Sequence, residues 1–325
     1  MVRTVLGIGW VVIAAGCSAS DGGGAGAGGS GAQAGAGASA GAGGAAGAAS
    51  GGSAGSGGVG ASAGVGGASG AAGGAGTGGA GAGGSGTGGA GTGGYGPSKA
   101  LPALGALVVL GDSISDGGGQ GPYYYNLLRA DLEAKYGALA YQRKAQGGSK
   151  TGALSGQIDS LPSTLPGPVA VCITSGGNDM KDVLVQVATG TDGPARTQMG
   201  NNITSALNKL LAPGRFGAGV AVHVFEADIY DASDGQGNYA AHGCNFAGNF
   251  PALPTDGYFA SWNGEIKARV EQAGQTYASI HALFRLHGFN HPPSWYASDC
   301  THPTSTGHDQ LRRFFYYKIS GDLLP

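Results

Sequence analysis

Between residues 22 and 94 the chain has no charged residue, no proline and no aromatic side chain, while 37 of its 71 glycines fall there among Ala, Ser and Thr. Such a stretch offers nothing to bury against the entropy of ordering, which excludes a packed core. Collagen is excluded as well, because proline is missing and the glycine spacing is irregular. The same irregular rhythm argues against the other fibrous reading, a glycine helix. An excess of basic charge is also lacking: 17 Lys and Arg face 19 Asp and Glu, for a net charge of -2. That balance excludes the electrostatic footprint of a nucleic-acid partner. The chain has no apolar run long enough for a spanning helix, since Val5 to Ala15 covers about 11 residues where about 20 are needed. Only four cysteines occur, and His281, His287 and His291 have no cysteine or carboxylate cluster beside them, so no metal site and no cofactor is expected. Gly117-Gly118-Gly119 lacks the Gly-Lys-Ser/Thr ending of a phosphate loop.

What is present divides the chain in three. Arg3 followed by the short apolar run reads as a signal segment over residues 1–17. It ends in Ala14-Ala15-Gly16-Cys17, which resembles the lipobox of bacterial lipoproteins. The resemblance implies export, lipid modification of Cys17 and anchoring at an outer membrane or cell surface, since no acidic residue directly follows the cysteine; a plain secretory signal is the alternative. Residues 18–100 read as a disordered Gly/Ala/Ser linker with a reach on the order of 45 to 50 Å. Residues 101–325 carry all the histidine, 13 of the 14 prolines and nearly all the charge, enough for one globular domain, expected as a monomer.

Within that domain apolar runs alternate with amphipathic stretches. Leu104–Leu110, Val169–Thr174 and Val220–Phe225 read as buried parallel strands and Tyr277–His281 as a last short one. Tyr123–Tyr136, Thr197–Leu211, Trp262–Ala273 and His308–Ile319 read as helices. Strand alternating with helix predicts an α/β fold with a mostly parallel sheet and helices on both faces, whose chemistry lies at the carboxyl ends of the strands.

Those strand ends are where the reactive residues stand. Gly111-Asp112-Ser113-Ile114-Ser115 follows the first strand directly, exposing a serine hydroxyl and its N–H at the sheet rim. A serine nucleophile needs a base and a carboxylate to orient that base, and Asp299 and His302 are three residues apart on one loop near the carboxyl end. Asn178, in Ser175-Gly176-Gly177-Asn178-Asp179, and the bare N–H groups of Gln146-Gly147-Gly148-Ser149 could donate to an oxyanion. Taken singly, each block also reads as a turn or a helix cap.

Four blocks in this order, GDS, a glycine-rich turn, GGND and DxxH, resemble the SGNH-hydrolase (GDSL-type esterase/lipase) family over residues 104–320. The resemblance implies a three-layer α/β/α flavodoxin-like sheet and a serine ester hydrolase working through an acyl-enzyme. It makes Ser113 the nucleophile, His302 the general base and acid, and Asp299 its orienting carboxylate, with the N–H groups of Ser113 and Gly148 and the amide of Asn178 as the oxyanion hole. Two positions depart from the pattern. Ile114, followed by Ser115, stands where the family has Leu, and Arg143 where Asn is frequent, which leaves Gly147 or Gly152 as alternatives to Gly148. Candidate substrates are small carboxylic esters, lipids or acetylated glycans; a non-catalytic binding module and a glycine-rich surface protein are the competing classes. Tyr123, Tyr124, Tyr239, Phe246, Phe250, Trp295 and Tyr296 could line a pocket or pack the core. Cys172 reads as a buried core residue, and a bridge between Cys244 and Cys300 would brace the Asp299–His302 turn, the alternative being three free thiols.

Overall fold

A computed structural model describes residues 95–248 and 251–324. The signal segment, Cys17, nearly all of the linker, and Phe250 lie outside the described residues. Five parallel strands form one sheet: β1 (Ala106–Gly111), β2 (Ala140–Arg143), β3 (Val169–Thr174), β4 (Val222–Ala227) and β5 (Thr276–Ala278), in the spatial order β2-β1-β3-β4-β5. This is the flavodoxin-like order, in which the crossover changes direction between β1 and β3. The central strands are buried on both faces, which is why their sequences are continuous apolar runs rather than alternating ones.

The two faces carry separate cores. Leu107 and Val109 of β1 point toward α1 (Tyr124–Tyr136) and α8 (Ser305–Ser320), meeting Leu128, Leu132, Leu311, Phe314 and Phe315. Ala106, Val108 and Leu110 point the other way, toward α2 (Leu154–Asp159), α5 (Gly193–Leu210) and α6 (Asp256–Gln272), meeting Ile158, Ile203 and Trp262. Each fully buried leucine contributes roughly 1.5 to 3 kcal/mol, so both layers are needed to hold the sheet. Among the described residues no helix is long and apolar enough to cross a membrane.

Several boundaries differ from the sequence reading. β4 runs two residues further, through Glu226, because that acidic side chain is fully buried and does not end the strand. β5 stops at Ala278 instead of continuing to His281: the Ser279 hydroxyl accepts from Ala282 N–H and donates to Asp228, turning the chain into α7 (Ile280–Phe284). β2 is a short, half-exposed edge strand of sequence AYQR, too polar to register as an apolar run. Two short helices, α3 (Gly177–Asp182) and α4 (Leu184–Thr189), follow β3.

Candidate active site

The end of β1 is shaped by a glycine that nothing else can replace. Gly111 has φ +116°, and a Cβ there would lie 1.9 Å from the Thr174 carbonyl oxygen on the neighbouring strand. The Gln157 side chain pairs with both backbone groups of Gly111, at 2.8 Å each, so the strand end is satisfied as the chain leaves the sheet. Asp112 then accepts Ile114 N–H at 3.1 Å and caps a single helical turn, Ser113–Ser115. This places the Ser113 hydroxyl above the sheet rim, and among the described residues no protein group accepts its N–H.

The loop before α8 meets that hydroxyl from the far end of the sequence. His302 Nε2 lies 2.7 Å from Ser113 Oγ, and His302 Nδ1 lies 2.6 Å from Asp299 Oδ2. Asp299 also accepts the backbone N–H groups of Thr301 and His302 at 3.0 and 2.9 Å. Burial acts to raise the Asp299 pKa, but those three hydrogen bonds and the nearby imidazole outweigh it and hold the carboxyl at about 2. Asp299 is therefore an acceptor only, so the imidazole proton sits on Nδ1 and the Nε2 lone pair faces the serine hydroxyl. The ring is seated against glycine: a Cβ on Gly118 would lie 2.3 Å from His302 Cδ2. Behind the turn, the Tyr230 hydroxyl donates to the Thr301 carbonyl at 2.5 Å. Cys300, with φ +58°, is joined to Cys244 by a disulfide, while Cys172 is free and buried in β3.

The GGND segment closes the third side. Asn178 Nδ2 donates to the Ser149 carbonyl at 2.9 Å, and Asp179 accepts both the N–H and the hydroxyl of Thr151 at 2.9 and 2.7 Å. Together they clasp the loop after β2 that carries Gly148. The N–H of Gly147 is spent on Asp116 at 2.8 Å, whereas that of Gly148, at φ +74°, finds no acceptor among the described residues. Ser113 and Asn178 line the adjoining cavity; Gly148 does not.

Residues 109–310 match the GDSL-like Lipase/Acylhydrolase family. The chain belongs to that family. No curated protein matches the chain. Among solved structures, it is similar to a phospholipase A1 from Streptomyces albidoflavus, at 22% identity and a TM-score of 0.44, covering 67% of this chain and 100% of that one. An extracellular lipase from Streptomyces rimosus matches at 18% identity and TM-score 0.47, over 66% and 100% of the two chains. An acetyl xylan esterase from Geobacillus stearothermophilus matches at 17% and 0.46, over 68% and 99%.

A cavity of about 160 Å³ opens beside Ser113 and runs between α3–α4 and the loop after β4. Met180, Leu184, Val187, Ile229, Phe246 and Phe259 give it an apolar wall. Of the aromatics singled out from sequence, Tyr239 and Phe246 reach it. Tyr124, Trp295 and Tyr296 pack elsewhere, against Phe315, His287 and Tyr230 respectively. Tyr123 stacks on Tyr125. The α3–α4 wall was missed in the sequence because six-residue helices carry too short a period to recognise. The role of Gly118 was missed too, although a glycine run just after a reactive turn is a signal of close approach. Among the described residues no group of His, Cys, Asp and Glu side chains could hold a metal.

Proposed function

We propose that the protein hydrolyses carboxylic esters through an acyl-enzyme at Ser113. The observation that carries this is the 2.7 Å contact between Ser113 Oγ and a His302 ring whose other nitrogen is held by Asp299. In the forward step Ser113 Oγ bonds to the ester carbonyl carbon while its proton passes to His302 Nε2, and Asp299 stabilises the imidazolium. The oxyanion is met by the free N–H groups of Ser113 and Gly148 and by the second amide N–H of Asn178, donors worth about 2.7 to 4 kcal/mol each in comparable sites. Collapse expels the alcohol, which takes the proton back from His302. Water then repeats the sequence and releases the acid.

The apolar cavity supports an aliphatic acyl group over an acetylated sugar. Its volume accommodates on the order of ten non-hydrogen atoms, by the space one water needs, which suits a medium-length chain. A series of p-nitrophenyl esters from acetate to palmitate, beside acetylated xylan, tests this. Turnover is expected to peak between about six and ten acyl carbons and to vanish in Ser113→Ala. Equal turnover by the variant would remove Ser113 from its role, and turnover confined to acetyl groups would move the substrate to acetylated glycans.

A further inference from the structure

Ser115, two residues after Ser113, belongs to a buried row of hydroxyls. The Tyr124 hydroxyl lies 2.6 Å from Ser115 Oγ, Ser115 Oγ lies 2.8 Å from Thr174 Oγ1, and Thr174 Oγ1 donates to Asp112 Oδ1 at 2.9 Å. All four residues are buried, none more than 4% exposed. The direction of the row follows from counting protons, because each hydroxyl has one to give. Thr174 spends its proton on Asp112, so it must accept from Ser115; Ser115 must then accept from Tyr124. Burial pushes the Tyr124 phenol well up, which keeps it a donor. Three elements thus aim a one-way chain at a single carboxylate, in the residue immediately before Ser113.

We propose that Asp112 is a positioning residue for the reaction, kept ionised by the Tyr124–Ser115–Thr174 chain. This rests on the reading of Ser113 as nucleophile. In its charged form Asp112 holds Ile114 N–H, fixing the turn that aims the Ser113 hydroxyl and leaves the Ser113 N–H free. Its charge also attracts the imidazolium that forms on His302 when Ser113 gives up its proton. Chains of hydrogen bonds polarise one another, so the distant members strengthen the last bond.

The other groups facing Asp112 set the sign of its titration. Burial raises its pKa to about 6, opposed by the Thr174 hydroxyl, by Ile114 N–H and by His302. Glu226 faces it from β4, and the phenols of Tyr124 and Tyr230 lie close enough to feel its charge. Glu226 is itself pushed up to about 8 by burial, so it is neutral where Asp112 titrates. Removing the Thr174 donor destabilises the charged form and moves the Asp112 pKa upward.

The test measures kcat and KM on a p-nitrophenyl ester against pH for the full chain and for Thr174→Val, Thr174→Ser, Ser115→Ala and Tyr124→Phe. The pH dependence of labelling of the serine by a fluorophosphonate serves as a second readout. Thr174→Val is expected to lower kcat about tenfold with KM little changed and to move the acid limb up by about one pH unit. Thr174→Ser should restore both. Ser115→Ala and Tyr124→Phe should give smaller shifts in that order, as the break moves away from Asp112. An acid limb that stays in place in every folded variant, or a loss equal at all pH values, overturns the proposal. Should Thr174→Val fail to fold, Ser115→Ala and Tyr124→Phe decide alone. Ser113→Ala separates the two readings: if that variant is active the nucleophile falls with it, and if it is dead while the limb does not move, only Asp112 loses its role.

Discussion

Gly118 shows how much of this site depends on atoms that are missing. Its N–H donates to the Ser113 carbonyl at 2.7 Å, and the space where a Cβ would sit is filled by the His302 ring. A methyl group there cannot be relieved by a flexible tail, because the imidazole is held on its other side by Asp299. Gly118→Ala should therefore displace the ring and cut kcat by about 10²-fold, the cost of misplacing a catalytic group by about 1 Å, while the folded state survives. Steady-state kinetics beside thermal denaturation checks this; a fully active, correctly folded variant would show that the ring has room. At this scale the meeting of Ser113, Asp299 and His302 was legible from the four blocks taken together, since each block alone also reads as a turn or a cap. The Ser115–Thr174–Asp112 chain was not, since hydroxyls 59 residues apart carry no spacing signal until β1 and β3 are paired.

The turn from Asp299 to His302 is a small element held by its surroundings. Ala297 N–H donates to the His302 carbonyl at 2.8 Å and Cys300 N–H to the Ala297 carbonyl at 3.0 Å, while α8 starts just beyond, capped by Thr304. The Cys244–Cys300 bridge ties this turn to the loop that supplies Tyr239, Phe246 and Leu253 to the cavity. It closes a loop of 56 residues, for which chain entropy gives about 4 kcal/mol of stabilisation. Replacing both cysteines by alanine should lower stability by up to that amount. It should also reduce the activity of the folded variant, because the cavity wall and the Asp299–His302 turn loosen together. Urea unfolding with activity measured at low denaturant tests both halves; unchanged kcat in the folded variant would make the bridge a stabiliser alone. Strands buried on two faces were readable as elements because continuous apolar runs of six residues have few other homes. The short helices α3 and α4 escaped because their burial comes from tertiary neighbours rather than from their own composition.

For the whole molecule, the parallel sheet and its two helical layers follow from alternating patterns alone, yet the sheet contains one residue those patterns would have placed outside. Glu226 lies in β4 with no exposed surface; its Oε1 accepts from the Ser175 hydroxyl at 2.7 Å, and its Oε2 has no partner among the described residues. Burial raises its pKa from an ordinary value of 4.5 to about 8, against the Ser175 hydrogen bond and with the help of Asp112. The consequence for folding has a definite sign. In the unfolded chain Glu226 loses its proton near pH 4.5, while in the native protein it keeps it until about 8, so across that window the native state binds more protons and stability falls as pH rises. The slope from this one group is about 1.4 kcal/mol per pH unit. His308, whose pKa burial lowers to about 4, works in the opposite direction, but only below its ordinary value of 6.5. Glu226→Gln keeps an oxygen for Ser175 and removes the titration. The variant should match the native protein near pH 4.5 and become progressively more stable than it from there to pH 8, as read by denaturant midpoints at fixed temperature. A difference that does not change with pH would mean that Glu226 is already ionised in the folded protein, compensated by a charge or solvent that reaches the inside of the sheet.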